Sequence, residues 1–305
     1  MQRLWISAIS YLNTAPLMWD FEHGRPPGDG LQGETYVLPG DAGEVEISYT
    51  VPSQCAENLR SGAADVGIIP AFAFATTPNL TILPDVAIAA KGAVRSILLI
   101  SRKPMEKIAT VAADSSSRSS VALLEILFRK FLGGARQLIP MEPGVEAMLR
   151  VCDAGLLIGD SALRIQAEGS GHFVYDVAEL WKRFTGYPFV FAFWAARREA
   201  LTEAAGNSGT ETAHALARMF RESREHGLEP ANVEHVVRQW APHVGVSEAV
   251  AREYITRSIH YYLDEECVAG LKLFYRYAAE CGLIPRSPEL GAVGQPGSLP
   301  VEKAG

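Results

Sequence analysis

The chain has 305 residues, 48% hydrophobic and 21% charged, a composition that suits two soluble domains with a sizeable core. Its 28 lysines and arginines against 35 aspartates and glutamates leave a formal charge of −7, which argues against nucleic acid or an anionic membrane as a partner. An anionic ligand would have to be attracted locally. The four cysteines, Cys55, Cys152, Cys267 and Cys281, show no CxxC or Cys/His spacing, so no metal site is predicted. Cys55 and Cys152 lie among apolar positions and read as small buried hydrophobes. The N-terminal stretch MQRLWISAISYLNTAPL lacks an apolar signal core, and no stretch is apolar enough to span a membrane. The expectation is a cytoplasmic protein with reduced thiols.

Taken in order, Leu4–Ile9 reads as a strand and residues 10–16 as a polar turn, with Pro16 in the first turn of a short helix. Gly24–Gly33 is a loop by composition. Strand material follows over Thr35–Val51. Pro52-Ser53 opens a helix to Arg60, with Ser53 as the expected N-cap and Gly62 as the stop. Val66–Pro70 is a short buried strand, and Leu83–Arg102 is long, strand-like and leaves the first unit. Ile108–Ala113 is again a strand. It runs into the hydroxyl-rich turn Ser115–Ser120, then a helix over 119–132 that Gly133 and Gly134 stop. A strand at Gln137–Met141, a helix to Arg150 and a strand at Leu156–Ile158 follow, ending in Gly159-Asp160. The segments 58–70 (NLRSGAADVGIIP) and 148–160 (MLRVCDAGLLIGD) both run from Leu-Arg through Asp into an apolar strand. This repetition predicts two βαβαβ lobes. Pro188–Ala196 is a second strand-like crossing between them. Beyond Arg198 helices are expected at 210–226, 231–241, 247–263 and 265–281. Ile255, Ile259 and Tyr262 share one face, and Leu271, Phe274 and Tyr275 another. These stripes read as core.

In an open α/β sheet, ligands bind beyond the carboxyl ends of the strands. Two facing lobes would set the turn at 10–16 opposite the turn at 115–120. Strand, serine-rich turn and helix start together aim free N–H groups and a positive helix end at one spot, which suits a carboxylate or phosphate. Arg118 is a candidate clamp there or a solvated side chain. Asn13 can hold a ligand group or make an Asx turn. Arg95 can bind ligand or form a hinge ion pair, whereas Ser96 beside it is the better ligand contact. Asp160 is a candidate base or a helix cap, capping being the commoner fate. Phe191 and Phe193 share one strand face and Trp194 the other, so one face can stack on a ligand ring while the other fills core. None of the seven histidines falls in these segments, and no Ser/His/Asp or Cys/His arrangement stands out.

SYLNTAPL (10–17), PSQCAENLRSGAADVGIIP (52–70), RSILLISRKP (95–104), DSSSRSS (114–120), LLIGDSAL (156–163) and ELWKRFTGYPFVFAFW (179–194) together resemble the MqnA family, chorismate dehydratases of the futalosine route to menaquinone. A sister family, 1,4-dihydroxy-6-naphthoate synthase, shares the fold but carries a Pro-Asn-Asp type signature in its first turn, where this chain has Tyr-Leu-Asn-Thr. The resemblance implies an α/β, type II periplasmic-binding-protein-like fold. Two α/β lobes would be joined by two crossing strands, with a helical C-terminal extension. The larger, discontinuous lobe would comprise 1–96 and 191–305 and the smaller, inserted one 97–190. It implies a cofactor-independent hydro-lyase acting on the dianion chorismate. Asn13 and Asp160 are then the catalytic candidates. Tyr11, Thr14, Arg95, Ser96, Ser116, Ser117, Arg118, Ser119, Gly159, Phe191 and Trp194 are the substrate-binding candidates. The base is either Asp160 or a carboxylate of the substrate. The competing expectation is a protein that only captures a small anion.

Overall fold

In the computed structural model the described residues are 3–23, 35–37, 44–114, 118–169, 171–204 and 209–291. The strands in chain order are β1 (Arg3–Ile9), β2 (Thr35–Val37), β3 (Glu44–Thr50), β4 (Val66–Pro70), β5 (Leu80–Ala90), β6 (Ile97–Ser101), β7 (Thr110–Asp114), β8 (Gln137–Met141), β9 (Ala154–Ile158), β10 (Phe173–Asp176), β11 (Phe189–Arg197) and β12 (His260–Tyr262). They form a seven-stranded sheet of order β12-β5-β11-β4-β1-β3-β2 and a five-stranded sheet of order β10-β6-β9-β7-β8.

The expected repetition is real at the level of topology. In one lobe β1 pairs in parallel with β3 and β4. In the other β7 pairs in parallel with β8 and β9. Each triplet is flanked by an antiparallel strand that arrives from the other lobe, β11 beside β4 and β6 beside β9. The chain changes sheet between Ala90 and Ile97 and again just before Phe189. Phe189 and Val190, expected in the smaller lobe, pair with Ala90 and Ala89 in the seven-stranded sheet. The strands in the middle of the two sheets, β4, β6 and β11, are buried along almost their whole length, as strands covered on both faces must be.

Several local expectations need correction. Helix Pro52–Ser61 starts with Val51 at the cap position and Pro52 in its first turn, so Ser53 is not the cap; Gly62 does close it, at φ 78°. Ala71–Thr76 alternates large and small residues and gives no helical signal, yet it forms a short buried helix. The helix expected over 247–263 stops being α-helical after Glu253, widens into a π turn at Tyr254–Ser258, and ends in β12. Ile255 and Ile259 are buried, but strand alternation turns Tyr262 outward, 44% exposed, and Tyr261 inward.

The helical extension fastens the two lobes to each other. On helix Glu265–Glu280, Glu266 takes Lys182 from the smaller lobe at 2.9 Å, and Glu280 takes Lys130 at 2.5 Å. The four cysteines are free, and Cys55, Cys152 and Cys267 are buried. Burial pushes the Cys55 thiol up to about 12, so it stays a neutral hydrophobe.

Candidate functional site

A cleft of about 590 Å3, counting its open mouth, lies between the lobes. Its wall combines Ile9, Tyr11, Asn13 and Thr14 from the end of β1, Ser96 and Ile97 from the first crossing, Ser119 and Ser120 from a helix start, Ile158 and Gly159 from the end of β9, and Phe191 with Ala192 from β11. Each contributor sits at a strand's carboxyl end or at a crossing, where an open α/β sheet leaves room for a ligand.

The first turn is shaped from within. Thr14 Oγ1 donates to Ile9 O at 2.6 Å and lies 2.8 Å from Tyr11 O, while the Tyr11 N–H donates to it at 3.0 Å. Thr14 therefore holds the turn rather than the ligand, a correction to its expected role. Asn13 is left facing the cleft, and its Oδ1 is buried without a hydrogen-bond partner. An orphaned buried acceptor is costly, a cost that a ligand donor would relieve.

Ser119 and Ser120 sit in the first turn of helix Arg118–Phe131 and line the cleft. Ser119 Oγ accepts the Phe72 N–H at 2.9 Å, joining the lobes, and keeps its own proton to donate. Ser116 and Ser117 lie outside the described residues. Gly159 has φ +64°, a conformation that favours glycine, and its N–H donates to Ser96 O at 2.8 Å. Its bare Cα faces Tyr11, whose phenol is raised by burial and by Asp114 and Asp160, so it remains a neutral donor.

Four expected contacts are displaced. Arg118 turns away, 5.5 Å over the Phe72 ring, into a separate surface hollow. Arg95 forms the hinge ion pair with Glu253 at 2.8 Å. Its own N–H goes to Asp176 Oδ2 at 2.6 Å, which fixes its φ of +66°, while Asp176 Oδ1 caps helix Val177–Thr185. Trp194 is core, stacked on Phe220 at 3.9 Å, and Phe193 is core against Phe74. Only Phe191 reaches the cleft, together with its neighbour Ala192. The strand register slips between Val190 and Ala192, so strict alternation fails there. Asp160 is neither a cap nor part of the wall. It sits just inside helix Gly159–Glu168, whose cap position is Ile158, and accepts the Leu12 N–H across the lobe boundary.

The resulting wall carries no lysine or arginine among the described residues. An anion bound here would meet serine hydroxyls and the positive end of helix Arg118–Phe131 in place of a guanidinium or ammonium group. Behind the wall Tyr254 donates to Ser96 Oγ at 2.8 Å, a contact with no signal in the sequence, where Tyr254 is one more residue of an expected helix over 247–263. The described residues able to share a metal ion are His260, Asp264 and Cys267, none of them on the cleft wall, and Asp264 Oδ2 already takes Lys91 Nζ at 2.7 Å.

Asp160 gives a pH prediction. Burial pushes it up to about 6, partly offset by the Leu12 N–H and His243. The folded protein thus holds this proton where the unfolded chain has lost it. Its stabilising share is full below the ordinary value near 3.8 and is lost as pH rises through about 6. Asp160→Asn keeps an acceptor for Leu12 and is expected to melt higher than the wild type at about pH 7.5, with a flatter profile between about pH 4 and 6. Scanning calorimetry checks this; a variant less stable than wild type across that range would refute it.

Two lobes, paired antiparallel crossings and a ligand-sized cleft between them define a periplasmic-binding-protein-like fold. Solved structures agree. AF1704 from Archaeoglobus fulgidus superposes with a TM-score of 0.65 at 16% identity, over 92% of this chain and 98% of its own. The aliphatic sulphonate binding protein SsuA from Escherichia coli gives 0.63 at 16% identity, over 98% and 94%. Within that fold the chain belongs to the menaquinone biosynthesis family, which it matches over residues 4–280. It is 30% identical, over 244 residues, to the chorismate dehydratase of Thermus thermophilus, covering 75% of this chain and 84% of that one. Among the described residues no helix is long and apolar enough to cross a membrane.

Proposed function

We propose that the protein is a chorismate dehydratase, a cofactor-independent hydro-lyase that converts chorismate into 3-[(1-carboxyvinyl)oxy]benzoate and water at the first step of the futalosine route. The similarity to the T. thermophilus enzyme carries this reading. The lobe division that accompanies this reading is a larger lobe of 1–96 with 189–305, which takes in all of β11, and a smaller inserted lobe of 97–188, with the cleft between them.

The chemistry suits the site. The ring proton to be lost is acidified through a ring double bond by the ring carboxylate. Removing it sends charge into that carboxylate; expelling the C4 hydroxyl then completes an aromatic ring. Catalysis asks for donors where the charge grows, and Ser96, Ser119, Ser120 and the helix start at Arg118 supply them. Asn13 Oδ1 supplies an acceptor for the hydroxyl proton and so orients the departing group. Phe191 offers a flat wall for the ring. The proton goes to the substrate's own enolpyruvyl carboxylate, which passes it to the C4 hydroxyl as the C–O bond breaks, so that water leaves and the carboxylate is restored. With no arginine among the described residues of the wall, that carboxylate keeps its basicity; a guanidinium clamp would lower its pKa and blunt it. Asp160, tied to Leu12 outside the wall, is the weaker candidate.

Mixing the purified protein with chorismate tests the proposal. The cyclohexadiene absorbance is expected to disappear as an aromatic carboxylate forms, and Asp160→Asn to keep most of that rate. Chorismate that binds and is recovered unchanged would favour simple anion capture. Collapse of turnover in Asp160→Asn with binding intact would move the base to Asp160.

A further inference from the structure

The segment Glu248–Ser258 begins as an α-helix and widens into a π turn at Tyr254. Such turns give up hydrogen-bond geometry and concentrate at functional sites. Here the turn drives Tyr254 inward to 0% exposure. The Tyr254 hydroxyl lies 2.8 Å from Ser96 Oγ, with the Asn13 amide beside it. Ser96 and Asn13 line the cleft, and Tyr254 stands behind them.

The direction of these bonds follows from a count of donors and acceptors. Asn13 Oδ1 has no partner, so the group that Asn13 turns to the phenol is its Nδ2 donor. The phenol oxygen accepts from Asn13, and the phenol proton goes to Ser96 Oγ. Burial keeps that phenol protonated. A serine oxygen with a donor on one side has its own proton left to place elsewhere. Ser96 is 2% exposed, and the open space beside it is the cleft.

We infer that Tyr254 is a positioning residue that aims the Ser96 hydroxyl into the cleft as a donor to an anionic ligand. The relay Asn13–Tyr254–Ser96 joins the first turn, the helical extension and the crossing, so each bond polarises the next. It also ties the two halves of the chemistry together, because the amide that donates into the relay leaves its oxygen for the departing hydroxyl. The inference rests on the dehydratase reading only for the identity of the anion.

The test is a double-mutant cycle of Ser96→Ala and Tyr254→Phe. It is read in chorismate turnover and, separately, in the binding of benzoate, a plain aromatic carboxylate, by titration calorimetry. Each single variant is expected to weaken benzoate binding about tenfold, the worth of one hydrogen bond to a charged group. For chorismate, kcat/KM should fall by at least a similar factor, with part of the loss in kcat, because the Ser96 donor meets the carboxylate on which charge grows. Because Tyr254 acts through Ser96, the double variant should be no worse than Ser96→Ala alone. Additive losses, or Tyr254→Phe binding benzoate like wild type, would overturn the relay. If the wild type binds benzoate but leaves chorismate unchanged, the dehydratase reading fails and the benzoate cycle still decides. A wild type that binds neither overturns both. Should Tyr254→Phe not fold, 3-fluorotyrosine at position 254 keeps the packing and makes a stronger donor. Several-fold tighter benzoate binding is then expected, and unchanged affinity overturns the inference.

Discussion

Asn13→Ala is expected to lower kcat on the order of a hundredfold to a thousandfold while changing KM much less, the signature of a contact realised in the transition state. The argument starts from the orphaned Oδ1. In the free protein this oxygen is buried without a partner, a standing cost that a ligand donor relieves. The C4 hydroxyl is the donor of chorismate closest to the chemistry. As that hydroxyl takes up a proton and departs as water, its O–H becomes a stronger donor to Asn13 Oδ1, so the contact tightens along the reaction. Asn13→Ala also withdraws a donor from the Tyr254 hydroxyl, which accounts for the modest rise expected in KM. Steady-state kinetics with chorismate, alongside a thermal melt, separates this from misfolding. A variant with near-normal kcat and a large rise in KM would make Asn13 a plain binding residue.

Gly227→Ala and Gly270→Ala are expected to be the most damaging single-methyl additions to stability, each costing about 3 kcal/mol or more. Gly227 ends helix Gly209–Gly227, where that helix crosses the first turn, and a Cβ there would lie 2.0 Å from Pro16 O. Gly270 lies on helix Glu265–Glu280 where it passes the second crossing, and its Cβ would lie 2.3 Å from Pro188 O. Both obstacles are backbone, so no rotamer change relieves them. Gly227→Ala has a second consequence. Pro16 follows the turn that presents Asn13, so a shift there should lower kcat beyond the loss of folded protein. Gly92, with open space around it, is the control, and Gly92→Ala should melt like wild type. Urea unfolding of the three variants checks the ranking. Wild-type midpoints for Gly227→Ala and Gly270→Ala would mean that the extension packs less closely than the structure shows.

Much of this architecture is legible in the chain, and the rest is hidden for physical reasons. The parallel triplets announce themselves because buried parallel strands are continuous apolar runs set between polar turns, as at Val66–Pro70 and Thr110–Asp114. Tyr11, Asn13, Ser96, Ser119, Gly159 and Phe191 were all within reach of the rule that ligands sit at strand ends and crossings. Side-chain direction was not. Arg95 and Arg118 stand in the right segments, but Glu253 draws one into an ion pair and Phe72 the other onto a ring, and both partners are remote in sequence. Trp194 lies on the face opposite Phe191, as strand alternation has it, and that face is core; which of the two faces meets the cleft is decided by Phe220 behind Trp194, remote in sequence. Tyr254 and β12 are hidden by the same feature of the sequence. A helical period runs unbroken through 247–263, and pairing with β5 overrides it.

The central claim is tested most directly by incubating purified wild-type protein with chorismate and following the mass of the small molecule. The account predicts loss of one water to give 3-[(1-carboxyvinyl)oxy]benzoate, with no metal or cofactor added and with the enolpyruvyl group intact. Recovery of unchanged chorismate under conditions where the protein is folded and binds benzoate would contradict it.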